Sequence, residues 1–239
     1  MDPMPTSDIQ VAVLSDIHGV LHPLETAHKL LLRDYSPDVV LCAGDVAAFG
    51  PEPNESVEFL ITNGIMTVSG NTDGYMAHGL PAGLSTTTRG REIMSVMQWS
   101  QSQLSTRAKH WLGTLPFSTC IADTLLCLHA GPDSNEQIVD VNDPKPIPDG
   151  RAIVCAGHTH HAFVSSSHAG IWGNAGSVSR PTDNDPRGSF LLATRCAKRW
   201  TADIIRFDLE LEIIFASVRA SSMPYQKRWC ETQRLAEWW

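Results

Sequence analysis

The chain has 239 residues, 42% hydrophobic and 18% charged, enough to bury a sizeable core and too ordinary a balance for long disorder. A formal net charge of -8 argues against an extended basic surface for nucleic acid, while leaving room for a local cationic site. The opening MDPMPTSDIQ has neither the basic region nor the apolar run of a secretory signal, and no apolar run approaches the roughly 20 residues that span a bilayer, so a cytoplasmic protein without a membrane partner is expected.

In chain order, IQVAVLSD (9–16) reads as a strand buried on both faces. A helix follows, with Pro23 at its first position and an apolar stripe of Leu24, Ala27, Leu30 and Leu31. DVVLCAGD (38–45) is a second strand, PNESVEFLITNG a helix capped by Asn54 and ending near Gly64, and IMTVSGN a third strand. This βαβαβ order predicts a largely parallel sheet. Residues 79–116 read as two helices, one through REIMSVMQWSQSQ and a shorter one through TRAKHWLGT with Ser105 as N-cap. The runs STCIADTLLCLHAG, RAIVCAGHTH, AFVSSSHAGIWGNAGS and GSFLLATRCAKRWTADIIRFD then suggest a second, mostly antiparallel sheet. Between them 133–150 is a Pro- and Asp-rich loop without periodicity. With no internal repeat and no Gly/Ser linker, residues 1–239 read as a single domain with its core over 9–207 and a Trp-rich tail over 216–239.

None of the six cysteines forms a C-x-x-C pair; Cys42, Cys127 and Cys155 sit in strand runs as small hydrophobes, which fits a reducing compartment. In the tail, a helix would put Leu235, Trp238 and Trp239 on one side, for packing onto the body or onto a second copy in a homo-oligomer. Its basic residues are too few for a membrane-surface helix.

Strand after strand ends in a residue able to bind a metal: LSDIHG with Asp16 and His18, AGDVAAFGP with Asp45, SGNTDG with Asn71 and Asp73, LHAGP with His129, and GHTH with His158 and His160. GNAGS with Asn174 follows, suited to orient the site by hydrogen bonding rather than to ligate. In open α/β sheets such groups converge outside the carboxyl ends of the strands. Each motif alone recurs by chance; five in this order mark metal ligands. Mixed carboxylate, imidazole and amide donors suit borderline divalent ions, with Mn²⁺ first and Fe²⁺, Zn²⁺ or Ni²⁺ as alternatives. Two ions about 3.5–4 Å apart lower the pKa of a shared water and stabilise in-line displacement at phosphorus.

Through DIHG, GDVAAFGPEPNE, GNTD, LHAG, GHTH and NAGSV, over residues 9–207, the chain resembles the calcineurin-like metallophosphoesterase superfamily, in particular its small bacterial and archaeal phosphodiesterase branch. The resemblance implies an α/β fold of two packed β-sheets flanked by helices, a four-layer α-β-β-α sandwich with two metals at the sheet edge. It also implies one metal held by Asp16, His18, Asp45 and His160, and a second held by Asp45, Asn71, His129 and His158. A metal-bridging hydroxide would attack phosphorus. Asp45, Asn71, Asp73 and His129 would be the catalytic set; Asn71, His129 and His161 would face the substrate, with a solvated loop position the alternative for His161.

The chain departs from that pattern at three places. Many members read GNHD, with a histidine that protonates the leaving group and an aspartate that orients it; here Thr72 stands in the histidine's place. Val20 replaces a frequent Asn, and RPT at 180–182 a frequent QPR. Arg180 is a candidate phosphate contact or a surface salt-bridge partner. His22 and His78 are candidates to face the substrate, whereas His28, His110 and His168 read as surface. The expected function is hydrolysis of phosphate esters, diesters before monoesters. The alternatives are a phosphomonoesterase, including a protein serine/threonine phosphatase, and a non-catalytic scaffold, which the filled ligand set disfavours.

Overall fold

A computed structural model describes residues 8–80, 86–143 and 145–237. Among the described residues, two mixed five-stranded sheets are flanked by seven α-helices. The first sheet has the order β10-β9-β1-β2-β3, from β1 (Ile9–Leu14), β2 (Val39–Cys42), β3 (Met66–Thr67), β9 (Gly188–Cys196) and β10 (Arg199–Phe207). β1, β2 and β3 run parallel as the βαβαβ pattern predicts, with Val11 opposite Val39 and Leu14 opposite Cys42. The second has the order β4-β5-β6-β8-β7, from β4 (Ser118–Ile121), β5 (Leu125–Leu128), β6 (Ile153–Ala156), β7 (Phe163–Ser167) and β8 (Gly170–Asn174).

Two expectations are corrected here. The second sheet is not mostly antiparallel: β5, β6 and β8 form a parallel centre, with β4 and β7 antiparallel at its edges. The β9–β10 hairpin belongs to the first sheet, where β9 pairs antiparallel with β1. Both follow from burial on two faces, which gives continuous apolar runs that carry no sign of strand direction.

The period of two sorts side chains into layers. Val11, Val13, Leu41, Leu191 and Ala193 of the first sheet meet Cys127, Ile153 and Cys155 of the second in one cluster between the sheets. Their neighbours Ala12, Leu14, Cys42 and Phe190 face the other way, into a cluster with the helices. On the far side of the second sheet, Leu128, Val154, Ala156 and Trp172 are covered by Val139 and Ile147 from the 133–150 loop.

The helices are α1 (Leu21–Leu30), α2 (Pro53–Thr62), α3 (Asn71–His78), α4 (Thr88–Gln103), α5 (Thr106–Thr114), α6 (Leu211–Ala220) and α7 (Gln226–Leu235). α1 begins two residues before the expected start, so Pro23 is its third residue; the first four amides of a helix lack internal partners, so proline costs no hydrogen bond there. Asn54 does not cap α2. Glu52 holds that position with Pro53 at the first turn, while Asn54 Oδ1 accepts the amide of Ser105, 3.0 Å away. Ser105 caps α5 as expected, its hydroxyl accepting Ala108 N–H at 3.0 Å. Among the described residues no helix is long and apolar enough to cross a membrane. In the tail, Trp229 is fully buried against the helical cluster, whereas Leu235 is exposed; Trp238 and Trp239 lie outside the described residues.

Candidate metal centre

The loops that leave β1, β2, β5 and β6 interlock through their backbones. Asp16 N–H donates to Gly44 carbonyl at 3.0 Å, His18 N–H to Asp45 carbonyl at 2.9 Å, and Gly157 N–H to His129 carbonyl at 2.8 Å. Asp16, His18, Asp45, His158 and His160 all take positive φ, between 50 and 71°. Each such residue costs about 1–3 kcal/mol, and a conformation of this kind persists only where its surroundings hold it. Gly157 supplies the close approach: a Cβ there would collide with Ser15 Oγ and with Asp16 Oδ2. His158 N–H donates to that same Asp16 Oδ2 at 2.9 Å.

The side chains converge as the motifs predict. His18 Nε2 lies 2.9 Å from His160 Nε2 and 3.8 Å from Asp16 Oδ1, and His160 Nε2 is 3.3 Å from Asp16 Oδ1. Asp45 points its two oxygens apart, Oδ2 at 3.8 Å from His18 Nε2 and Oδ1 at 3.6 Å from His129 Nε2. Asn71 Oδ1 is 3.1 Å from His129 Nε2, and the His158 ring stands edge-on to His129 with centroids 5.1 Å apart. Among the described residues, two groups have the spacing to hold an ion: Asp16, His18 and His160, and Asp16, Asp45 and His129. Asp16 thus reaches toward both positions, beyond the single metal the resemblance gives it.

The donor set fits divalent cations. Nδ1 of His18, His129 and His160 faces the carbonyls of Ala48 (3.1 Å), Ala43 (2.7 Å) and Arg180 (2.6 Å). A carbonyl only accepts, so each Nδ1 carries the proton and each Nε2 presents a lone pair to the centre. Asp16 Oδ1 is buried with no hydrogen-bond partner. Burial alone would raise the Asp16 pKa; His160, His129 and His18 outweigh it and hold this carboxylate well below its usual range. Burial and then the charge of Asp16 push Asp45 up to about 6. Burial, then His160, pushes His18 well down, and burial, then His129, lowers His158. Carboxylates crowded together among bare imidazole nitrogens call for positive charge between them.

The surrounding residues divide into supports and bystanders. Asp73 turns both oxygens onto backbone amides, those of Asp45 (2.8 Å), Val46 (2.8 Å) and Gly70 (3.0 Å), and so ties the second motif to the third. Asn174 Nδ2 donates to Gly157 carbonyl at 2.6 Å and to Thr159 Oγ1 at 3.1 Å, the orienting role its motif suggested. Thr72 N–H donates to Asp45 Oδ1 at 3.0 Å, and its buried side chain lies against the same carboxylate. His161 is exposed and lines the cavity above the cluster, which His22 and His78 do not reach; His22 pairs instead with Glu210 at 3.1 Å. His110 and His168 are exposed as expected, but His28 is partly buried, edge-on to Phe59.

Arg180 is neither a phosphate contact nor a surface residue. It is 2% exposed, with its guanidinium 5.0 Å from the Trp229 ring and Nη2 donating to Thr232 Oγ1 at 3.3 Å. Burial lowers its pKa to about 9.

Sequence reasoning missed this buttress. Trp229 Nε1–H donates to Phe49 carbonyl at 2.5 Å, Gln233 Nε2–H to Ser179 carbonyl at 2.7 Å, and the Phe49 ring meets His18 edge-on at 5.6 Å. Ser177 and Ser179 also grip the first motif, donating to Asp16 carbonyl (2.6 Å) and Ile17 carbonyl (2.8 Å). The serines of NAGSVS were a readable signal for this contact; nothing in the sequence joined Trp229 to it.

Comparison with known proteins agrees. A metallophosphoesterase from Sphaerobacter thermophilus superposes with a TM-score of 0.75 at 22% identity, covering 95% of this chain and 99% of that one. A hypothetical protein from Pyrococcus horikoshii gives 0.76 at 15% identity, over 95% and 97%. An uncharacterized protein of Methanocaldococcus jannaschii is 21% identical over 235 residues, 90% of this chain and 93% of the relative. These likenesses establish a shared fold. The calcineurin-like phosphoesterase superfamily domain matches residues 9–197, a span that takes in every side chain of the cluster from Asp16 to His160, and the chain accordingly belongs to that superfamily.

Proposed function

We propose that the protein hydrolyses phosphate esters with two divalent metal ions, diesters more readily than monoesters. The observation that carries this reading is the pair of facing Nε2 atoms, His18 and His160 at 2.9 Å, beside an Asp45 whose oxygens reach toward His18 and His129. When bound, the two ions supply a water of lowered pKa and positive charge for the phosphoryl oxygens. Asp16, His18 and His160 would hold one ion; Asn71, His129 and His158 would hold the other, with Asp45 between. Asn71 and His158 are only partly buried, so they also face an incoming phosphate. Asp73 acts as a positioning residue, because its oxygens are committed to the backbone. Thr72 offers a hydroxyl where a leaving group would take its proton, and a hydroxyl is no general acid near neutral pH. Six unpaired cysteines support a reducing, cytoplasmic setting.

The test is elemental analysis of protein loaded with Mn²⁺, Fe²⁺, Zn²⁺ or Ni²⁺, alongside turnover of aryl and alkyl mono- and diesters. Two ions per chain and a bis-aryl diester cleaved faster than the matching aryl monoester are expected. Full turnover after chelation, or equal rates on aryl and alkyl esters, would overturn the mechanism.

A further inference from the structure

The metal-ligand cluster forms the floor of a cavity of about 760 Å³, a volume suited to a small organic ligand. Its walls are unlike its floor. Phe49, Tyr75, Ile93, Met97 and Ile138 line them, contributed by the loop after β2, by α3, by α4 and by the 133–150 loop. Ile138 is 69% exposed, a large apolar side chain left in solvent at the rim. The charged residues on the walls are Glu136 and Asp140; among the described residues no Lys or Arg lines the cavity. Thr72, bonded to Asp45 Oδ1 through its amide, lines it beside the floor.

The wall is anchored. Asn135 Nδ2 donates to Ser69 carbonyl at 2.7 Å, the Tyr75 hydroxyl donates to Glu136 Oε1, Val139 is buried, and Trp172 Nε1–H reaches Lys145 carbonyl at 2.5 Å. The apolar surface is therefore held over the metal-ligand cluster rather than passing across it. A ligand that spans floor and wall has two unlike ends. Its anionic end belongs on the floor. The other end meets rings and aliphatic side chains beside two carboxylates, where a second anion would be repelled and would find no cationic partner.

Resting on the phosphoesterase reading above, we infer that this wall recognises the organic substituent of the substrate as an apolar, non-anionic group of the size of an aromatic ring, and that it discriminates against substituents bearing a further phosphate.

Binding rather than turnover tests this. Calorimetry on the manganese-loaded protein would compare methylphosphonate, phenylphosphonate and 1,4-phenylenediphosphonate. Phenylphosphonate is expected to bind at least about 10-fold tighter than methylphosphonate, the scale of a small apolar group in a fitted pocket. The diphosphonate should lose most of that gain. Ile138→Ser, at a position exposed enough to spare the fold, should weaken phenylphosphonate and leave methylphosphonate unchanged. Glu136→Gln should narrow the gap between the diphosphonate and phenylphosphonate. Equal affinity for methyl- and phenylphosphonate, or a diphosphonate that binds best, would overturn the proposal while leaving the phosphoesterase reading intact. Failure of all three ligands and of inorganic phosphate to bind the loaded protein would instead sink the phosphoesterase reading itself.

Discussion

The floor and the wall of the cavity are built on different principles. On the floor, ligand side chains sit one to four residues beyond a strand, five of them in left-handed backbone, and three of the imidazoles are aimed by backbone carbonyls at 2.6–3.1 Å. On the wall, Ile93 and Met97 come from α4 and Ile138 from a loop, and they contribute apolar surface with no polar atom to aim. Chemistry that depends on ångström placement is thus tied to the backbone, where strain can be stored and held. Recognition that depends on apolar area is left to side chains that can change without disturbing the floor.

The largest break is Asp45→Asn. It removes the carboxylate that stands between His18 and His129, so metal content and turnover should fall together, turnover by more than about 100-fold. The amide oxygen can still accept Thr72 N–H, and removing one of two crowded carboxylates relieves a repulsion that lies in the metal-free protein. The metal-free variant should therefore melt no lower than the metal-free parent. A variant that keeps two ions and full activity would separate Asp45 from the chemistry.

A second break comes from behind the floor. Trp229→Ala empties a fully buried site, at a cost of about 3–5 kcal/mol. It also removes the N–H on Phe49 carbonyl and the ring beneath Arg180, whose own carbonyl aims His160. Metal affinity should fall with stability, and Trp229→Phe should recover much of the stability but less of the affinity. Equal recovery of both would make Trp229 a packing residue only.

The same contrast decides what was legible in the sequence. Floor residues stood out because histidine, aspartate and asparagine at the buried ends of apolar runs are anomalous, and short motifs of that kind survive as local text. Wall residues did not, since Ile93 and Met97 on a helix read as ordinary core. β1, β2 and β3 were readable as parallel from their crossovers, whereas β9 joins β1 across most of the chain, and nothing local records that pairing. α3 went unseen because NTDGYMAH lacks an apolar stripe; Asp73 starts it by accepting the Gly70 amide. Arg180 was misplaced because an arginine in a Ser- and Pro-rich stretch reads as surface, and its Trp229 partner is distant in the chain.

Thr72 lies on the seam, bonded to the floor through its amide and facing the cavity with its side chain. Thr72→His places an imidazole where the leaving group departs. Alkyl monoesters should gain roughly 10-fold, short of the 10²–10⁴-fold of a well-placed general acid, while activated aryl esters change little. A uniform gain on both would point to altered binding instead of proton transfer.

The smallest effect is expected outside the floor, at Asp183. Its carboxylate accepts Ala162 N–H at 3.1 Å, just past the GHTH turn, and pairs with Arg206 on β10. Burial alone would raise its pKa, but the Arg206 and amide hydrogen bonds outweigh this and lower it. A folded-state pKa below the unfolded value means that the unfolded chain binds the proton first as pH falls. The stabilisation is therefore complete above the unfolded value of about 4 and drains away as pH drops through the folded one. Asp183→Asn should cost on the order of 1 kcal/mol at pH 7, the scale of a partly exposed pair, and that difference should shrink as pH falls below about 4. Thermal melts of both proteins across pH 3–7, free of metal, measure it. A difference that stays constant with pH would assign the loss to packing, and Asp183 would then be no part of the electrostatic bracing of the GHTH turn.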